Sequence, residues 1–192
     1  MKTWFTSDLH FGHKNLLRLG KGRPFETIEE HDQALIDNWN KRVAKGDVVY
    51  VLGDVSLRGD IDFLRERLSK LNGAKHLIIG NHDRAKEHAC LLNENIWQSM
   101  RPYLRLKTQL ETGEKIVCIL SHYPILEFDG AYRSYVLHLY GHIHDIVSYD
   151  DIYKKLGFRA IHVGVDTNNF MPISLDEAWN KSNILLEKLD EN

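Results

Sequence analysis

Residues 48–54 read Val-Val-Tyr-Val-Leu-Gly-Asp, a short apolar run rich in β-branched residues that stops on a carboxylate. Such a run reads as a buried strand, and the Gly-Asp pair marks where the chain leaves the sheet. Four further stretches repeat the pattern. Lys2–Ser7 (KTWFTS) runs into Asp8, with His10 two positions on, and His76–Gly80 (HLIIG) runs into Asn81-His82. Ile116–Ser121 (IVCILS) runs into His122, and Val136–Gly141 (VLHLYG) into His142, with His144 two positions on. Ligands of α/β sheets gather outside the carboxyl ends of the strands. If these runs share a sheet, Asp8, His10, Asp54, Asn81, His122, His142 and His144 converge on one rim as a two-metal site. Sites of that kind mostly hydrolyse phosphate esters.

Helical patterns separate the first three runs, so the first ninety residues predict βαβ units, a parallel sheet and an α/β fold. Thr27-x-x-Glu30 is a capping box, followed by Ile28, Leu35, Trp39 and Val43 at helical spacing. Asp60 is placed to cap a second helix carrying Ile61, Leu64, Leu68 and Leu71, which Asn72-Gly73 would stop. A short third helix is predicted over Arg84–Leu92 with Asp83 as its cap. Tyr103–Leu110 and Lys115–Leu120 flank Glu111-Thr112-Gly113-Glu114 as a hairpin. Ala160–Val165 is a further strand. Ser174-x-x-Glu177 is a second capping box, opening a helix to about Leu189. Gly20–Phe25 and Glu127–Ser134 read as loops, where substrate selection commonly lies.

The chain has 192 residues, enough for one domain spanning residues 1–192 with a real core. A net charge of −2 gives little grip on a long nucleic acid. Cys90 and Cys118 both sit in apolar stretches and read as buried and inert. Two cysteines without a CxxC pair suit a reducing compartment. The first strand begins at once, with no signal-peptide pattern before it, and no apolar run approaches a membrane span. A cytoplasmic protein is expected.

Imidazole, carboxylate and amide oxygen without thiolate suit Mn²⁺, Fe or Zn²⁺. Asp8-x-His10 and His142-x-His144 place paired side chains on one side of an extended segment. Asp54 is the carboxylate best placed to bridge two ions. Taken singly, Asp8, Asp54 and Asn81 are also good helix-cap types; taken with the histidines, ligation accounts for all of them together. Asp83 reads equally as a helix cap or as an orienting partner of the site. His13 is a candidate substrate contact just past the first ligands, and Arg23, Arg58 and Arg133 are candidate phosphate contacts, with a surface salt bridge as the plainer alternative for each arginine. Asp166-Thr167-Asn168-Asn169 reads as a turn. His31, His76, His88, His138 and His162 lack ligand spacing and read as structural.

Asp8-Leu9-His10, Gly53-Asp54, Gly80-Asn81-His82-Asp83, Ser121-His122 and Gly141-His142-Ile143-His144 together resemble the motifs of the calcineurin-like metallophosphoesterase superfamily. They occur in that family's order over residues 8–144. The opening SDLHFGHKN and the later PISLDEAW resemble a branch of small bacterial and phage proteins. The resemblance implies a four-layer α/β/β/α sandwich holding two divalent metal ions, with Mn²⁺ favoured and Fe, Zn²⁺, Ni²⁺ or Co²⁺ as alternatives. One ion would take Asp8, His10, Asp54 and His144, and the other Asp54, Asn81, His122 and His142. His82 would face the substrate, contacting phosphate alongside Asn81 or protonating the leaving oxygen. One departure stands out. Residues 53–59 read GDVSLRG, with Leu57 where the family's protein phosphatases carry a second aspartate, so His82 lacks its usual acidic partner.

These readings predict a dinuclear phosphoesterase, foremost a phosphodiesterase acting on a small or nucleotide-like ester by attack of a bridging hydroxide. The alternatives are a phosphomonoesterase or nucleotidase, a nuclease on the same core, and a non-enzymatic metal-stabilised interaction module. The expected partner is a small phosphate ester. No membrane is expected, a nucleic-acid polymer is disfavoured by charge, and a homodimer is compatible with the sequence.

Overall fold

The computed structural model describes residues 1–18, 22–57, 60–144 and 148–187. Strands β1 (Thr3–Thr6), β2 (Val48–Val51), β3 (Ala74–Ile78) and β4 (Trp97–Arg101) run parallel. They alternate with helices α1 (Ile28–Arg42), α2 (Ile61–Ser69) and α3 (Ala85–Asn93). A second sheet follows, from β5 (Tyr103–Gln109), β6 (Lys115–Ser121), β7 (Val136–Tyr140) and β8 (Ala160–His162), with α4 (Ser148–Leu156) before β8. The chain then returns to the first sheet as β9 (Ile173–Ser174), antiparallel to β1, and ends the described part in α5 (Leu175–Glu187). The strand orders are β4-β3-β2-β1-β9 and β5-β6-β7-β8.

The five ligand-bearing runs therefore do not share one sheet. β1, β2 and β3 lie in the first and β6 and β7 in the second. Side-chain alternation shows how the layers stack. Trp4, Val49, Val51 and Leu77 pack with Leu35, Trp39, Leu64, Leu68 and Leu91 of the three helices. Their neighbours Phe5, Tyr50, Leu52 and Ile78 point the other way and meet Cys118, Leu120, Leu137 and Leu139 of the second sheet. The outer face of that sheet (Val117, Ile119, Val136, Tyr140) is covered by Tyr153 of α4 and by Phe128. The layers are helix, sheet, sheet, helix, as the resemblance implied. Cover on both faces explains why these strands read as nearly continuous apolar runs.

Local signals hold where they are strong. Thr27 Oγ1 accepts from Glu30 N at 3.1 Å, and Asp60 Oδ1 from Phe63 N at 2.8 Å. Ser174 and Glu177 form a reciprocal capping box, at 3.2 and 2.8 Å. The predicted hairpin is β5–β6 in continuous antiparallel register. Three expectations change. Asp83 does not cap α3, whose N-cap position is Arg84 and carries no side-chain capping hydrogen bond. Cys90 is exposed, because α3 turns its neighbour Leu91 into the core instead; Cys118 is buried. β8 stops at His162, and Val165–Thr167 form a short 3-10 turn.

His138 on β7 is structural, and its bonding makes it a pH-sensitive strut. It is fully buried; Nδ1 donates to Ile119 O at 3.0 Å and Nε2 accepts from Ile125 N at 3.1 Å. Burial pushes its pKa down to about 4 from the usual 6.5. The unfolded chain therefore takes up this proton first, so the stability held by neutral His138 is complete above pH 6.5 and is lost as pH falls through 4. The expected loss is on the order of 3 kcal/mol. Denaturant midpoints should fall over that window, and less steeply in His138→Gln; an equally steep fall in the variant would assign the proton uptake to other groups.

Candidate metal centre

The seven predicted ligands come together where the carboxyl ends of the two sheets meet. Asp8, His10 and His144 offer ligand atoms within 4.8 Å of one another, and so do Asp54, His122 and His142. Asp54 also looks both ways. Its Oδ2 lies 3.4 Å from His122 Nε2 and 3.7 Å from His10 Nε2, so one carboxylate oxygen faces both groups. Asn81 Oδ1 is 2.8 Å from His122 Nε2, on the rim of the second group.

The loops are bent hard to achieve this. Asp8, His10, Asp54, His142 and His144 all have positive φ, between 51° and 73°. That region is unfavourable for residues other than glycine, and strain gathered on five functional side chains is held by their surroundings. Glycines make the close approach feasible. A Cβ on Gly53 would lie 2.5 Å from His122 Nδ1, and one on Gly141 2.7 Å from Asp8 Oδ2. The two sheets are stitched at this point by His142 N, which donates to both oxygens of Asp8 at 3.1 and 3.0 Å.

Asp83 is the clamp of the second group. Its carboxylate accepts from Asp54 N, Val55 N and Gly80 N at 3.0, 2.9 and 2.8 Å, tying the loop after β2 to the loop after β3. Of its two sequence readings, the orienting role is the one the structure displays. His82 N donates to Asp54 Oδ1 at 2.9 Å, and the His82 ring stands 5.6 Å from that of His10. Among the described residues no carboxylate meets the His82 imidazole.

The donor atoms suit cations. His10 is 2% exposed, yet neither ring nitrogen has a hydrogen-bond partner. Burial, over the opposing pull of Asp8 and Asp54, lowers its pKa to about 3 and keeps the ring neutral. His122 Nδ1 sits 2.8 Å from Leu52 O and donates to it, which leaves the Nε2 lone pair facing the Asn81 oxygen. Two acceptors in contact call for a positive charge between them. A proton serves when no metal does: burial lowers the His122 pKa, but the Asp54 carboxylate outweighs it and the pKa ends raised. Asp8 and Asp54 both remain anionic, since burial is overcome by His162 and His122 respectively.

Arg23 is not a substrate contact. It is 5% exposed and bonds Asp166, His31 and the carbonyls of Asp8 and Leu9. Asp166 is not merely a turn residue, because its Oδ2 accepts from His144 Nδ1 at 2.8 Å. His162 is not remote either, with Nε2 3.8 Å from Asp8 Oδ2. Arg133 bonds Tyr135 Oη and lies over the rings of Tyr132 and Tyr135; none of these is a ligand. Arg58 lies outside the described residues. His13 stands 5.4 Å from the His10 ring and lines a cleft of about 430 Å³ with Lys14, Asn15, Leu57, Asp60 and Phe63. On the other flank Tyr123, 49% exposed, packs at 4.7 Å against the His142 ring and 5.1 Å against His122. Nothing in the sequence singled it out beyond its place after His122.

Two sheets between helices thus bring two candidate metal-ligand groups to their shared rim, an arrangement that suits a pair of metal ions. The chain belongs to the calcineurin-like phosphoesterase family, whose profile matches residues 1–186. It is 31% identical over 176 residues to the uncharacterised protein MJ1445 of Methanocaldococcus jannaschii, covering 91% of this chain and 88% of that one. It is also 31% identical to the gene 66 protein of Mycobacterium phage D29, covering 97% of this chain and 98% of the phage protein. A solved protein of unknown function from Aquifex aeolicus, AQ665, shares the fold at a TM-score of 0.67 and 24% identity, over 92% of this chain and 96% of that one. The protein is thus a metal-dependent phosphoester hydrolase by family. No helix among the described residues is long and apolar enough to cross a membrane.

Proposed function

We propose that the protein is a phosphodiesterase acting on a small, nucleotide-like diester. The observation that carries this reading is room on both flanks of the ligand groups. The cleft beyond His13 accepts one ester arm, and the exposed face of Tyr123 accepts the other. A diester has two such arms and a single negative charge. A monoester dianion gains more from a guanidinium, and Arg23 spends its donors on Asp166, His31 and backbone. When bound, the two ions activate water and neutralise charge developing on the phosphoryl oxygens. The chain's own residues do the rest. Asp8, His10 and His144 would hold one ion, and Asp54, Asn81, His122 and His142 the other, with Asp54 placed to serve both. The imidazole of His82 delivers a proton to the departing alkoxide. Manganese is the favoured metal on the mixed imidazole–carboxylate–amide donor set, and a small cytoplasmic ester the favoured substrate on charge.

The test compares kcat/KM for nucleoside 5′-(p-nitrophenyl) phosphate with that for p-nitrophenyl phosphate, in the Mn²⁺-loaded protein. The diester is expected to be the better substrate by at least tenfold. Preference for the monoester would make the protein a phosphomonoesterase. Equal turnover of a DNA or RNA strand, with binding that falls steeply in salt, would make it a nuclease.

A further inference from the structure

Arg23 and Asp166 are separated by 143 positions in sequence, are both largely buried, and neither is a ligand. A guanidinium has five N–H donors, and in Arg23 each has an acceptor. Nε and Nη2 hold the two oxygens of Asp166, each at 2.9 Å. Nη2 also reaches Asp8 O at 2.6 Å, and Nη1 reaches Leu9 O at 2.9 Å and His31 Nε2 at 2.7 Å. His31 in turn has Nδ1 3.0 Å from Asp32 on α1. The arginine therefore anchors two things at once: the backbone of the Asp8-Leu9-His10 loop, whose ligand residues have positive φ, and the carboxylate that meets His144.

We propose that Asp166, held by Arg23, is the positioning residue of one ligand group, fixing the His144 proton on Nδ1 so that the Nε2 lone pair is presented beside Asp8 and His10. An ionised carboxylate only accepts, so the 2.8 Å contact with Asp166 Oδ2 puts the proton on Nδ1. Carboxylate–histidine pairs of this kind set ring orientation and ligand basicity in metal sites. Among the described residues, no side chain of the second group bonds Arg23 or Asp166 directly. His122 is oriented by Leu52 O, and the Asp54 loop by Asp83. The consequence is selective: losing Asp166 weakens cation binding at the group of Asp8, His10 and His144 and spares that of Asp54, His122 and His142. The inference shares with the proposed function only the premise that these groups bind metal, and neither readout below depends on which ester is hydrolysed.

Two measurements test it. In chelator-stripped wild-type protein at alkaline pH, long-range ¹⁵N–¹H spectra are expected to show His144 as the Nδ1–H form with a bare Nε2; a proton on Nε2 would overturn the proposal without any variant. Calorimetric titration with Mn²⁺ then compares wild type with Asp166→Ala. Two binding events are expected in the wild type. In the variant one is expected to weaken by about 10–100-fold while the other is unchanged, and Asp166→Glu, which restores an acceptor, should recover part of the loss. Both events unchanged, or both weakened alike, would overturn it, the latter pointing to a general structural role. Two events of the expected kind in a protein that turns over neither ester would leave this inference standing and remove the proposed substrate.

Discussion

Asp54→Ala is expected to lose metal and hydrolysis together. The carboxylate Oδ2 stands 3.4 Å from His122 Nε2 and 3.7 Å from His10 Nε2, so it faces a histidine ring of each group. Its other oxygen accepts from His82 N, which helps place that residue. Removing it takes a negative charge from between the two ligand groups and loosens the loop after β3 in the same step. Removing only an outer partner of a ligand commonly costs about 10–100-fold in affinity or activity, so loss of a shared ligand should exceed that range. Metal content by elemental analysis and turnover of a chromogenic diester are the two readouts. Two ions per chain in the variant would refute the shared role, whatever happened to the rate.

His82→Ala should behave differently, keeping its metal and losing rate. The His82 ring is half-buried beside His10 and has no carboxylate partner among the described residues, so it is free to engage the substrate instead. Proton delivery by such a group is worth about 10²–10⁴-fold. The loss should be largest for alkyl esters, whose alkoxides leave poorly, and smallest for p-nitrophenyl esters, whose phenolate leaves without help. An equal loss across leaving groups would mean that His82 binds phosphate rather than donating a proton.

Much of the centre was legible because its signals are local. Each ligand sits within three residues of the end of an apolar run, and helix caps such as Thr27, Asp60 and Ser174 bond as their spacing predicts. Periodicity reports a strand but not its sheet, so β1–β3 and β6–β7 read alike although they belong to different layers. β4 escaped notice because Gln98 and Ser99 interrupt its apolar character, and α4 because Asp150, Asp151, Lys154 and Lys155 surround the Tyr149–Tyr153 pair that faces the sheet.

The supports of the site were hidden for a different reason. Asp166 lies in a stretch whose composition is that of a turn, and Arg23 in a stretch rich in glycine; their partnership spans 143 positions. Asp83 follows β3 where a helix cap belongs, and only the folded chain shows three backbone N–H groups from two loops pointed at it. Long-range hydrogen bonds leave no mark on sequence spacing, whereas first contacts to a metal, set at strand ends, do.

The decisive measurement is a metal titration of chelator-stripped protein followed by both calorimetry and diester turnover. Hydrolysis that is absent from the stripped protein and returns as the second equivalent of Mn²⁺ binds is the expected result. Undiminished hydrolysis by protein shown to contain no metal would contradict a catalytic centre built from these seven side chains.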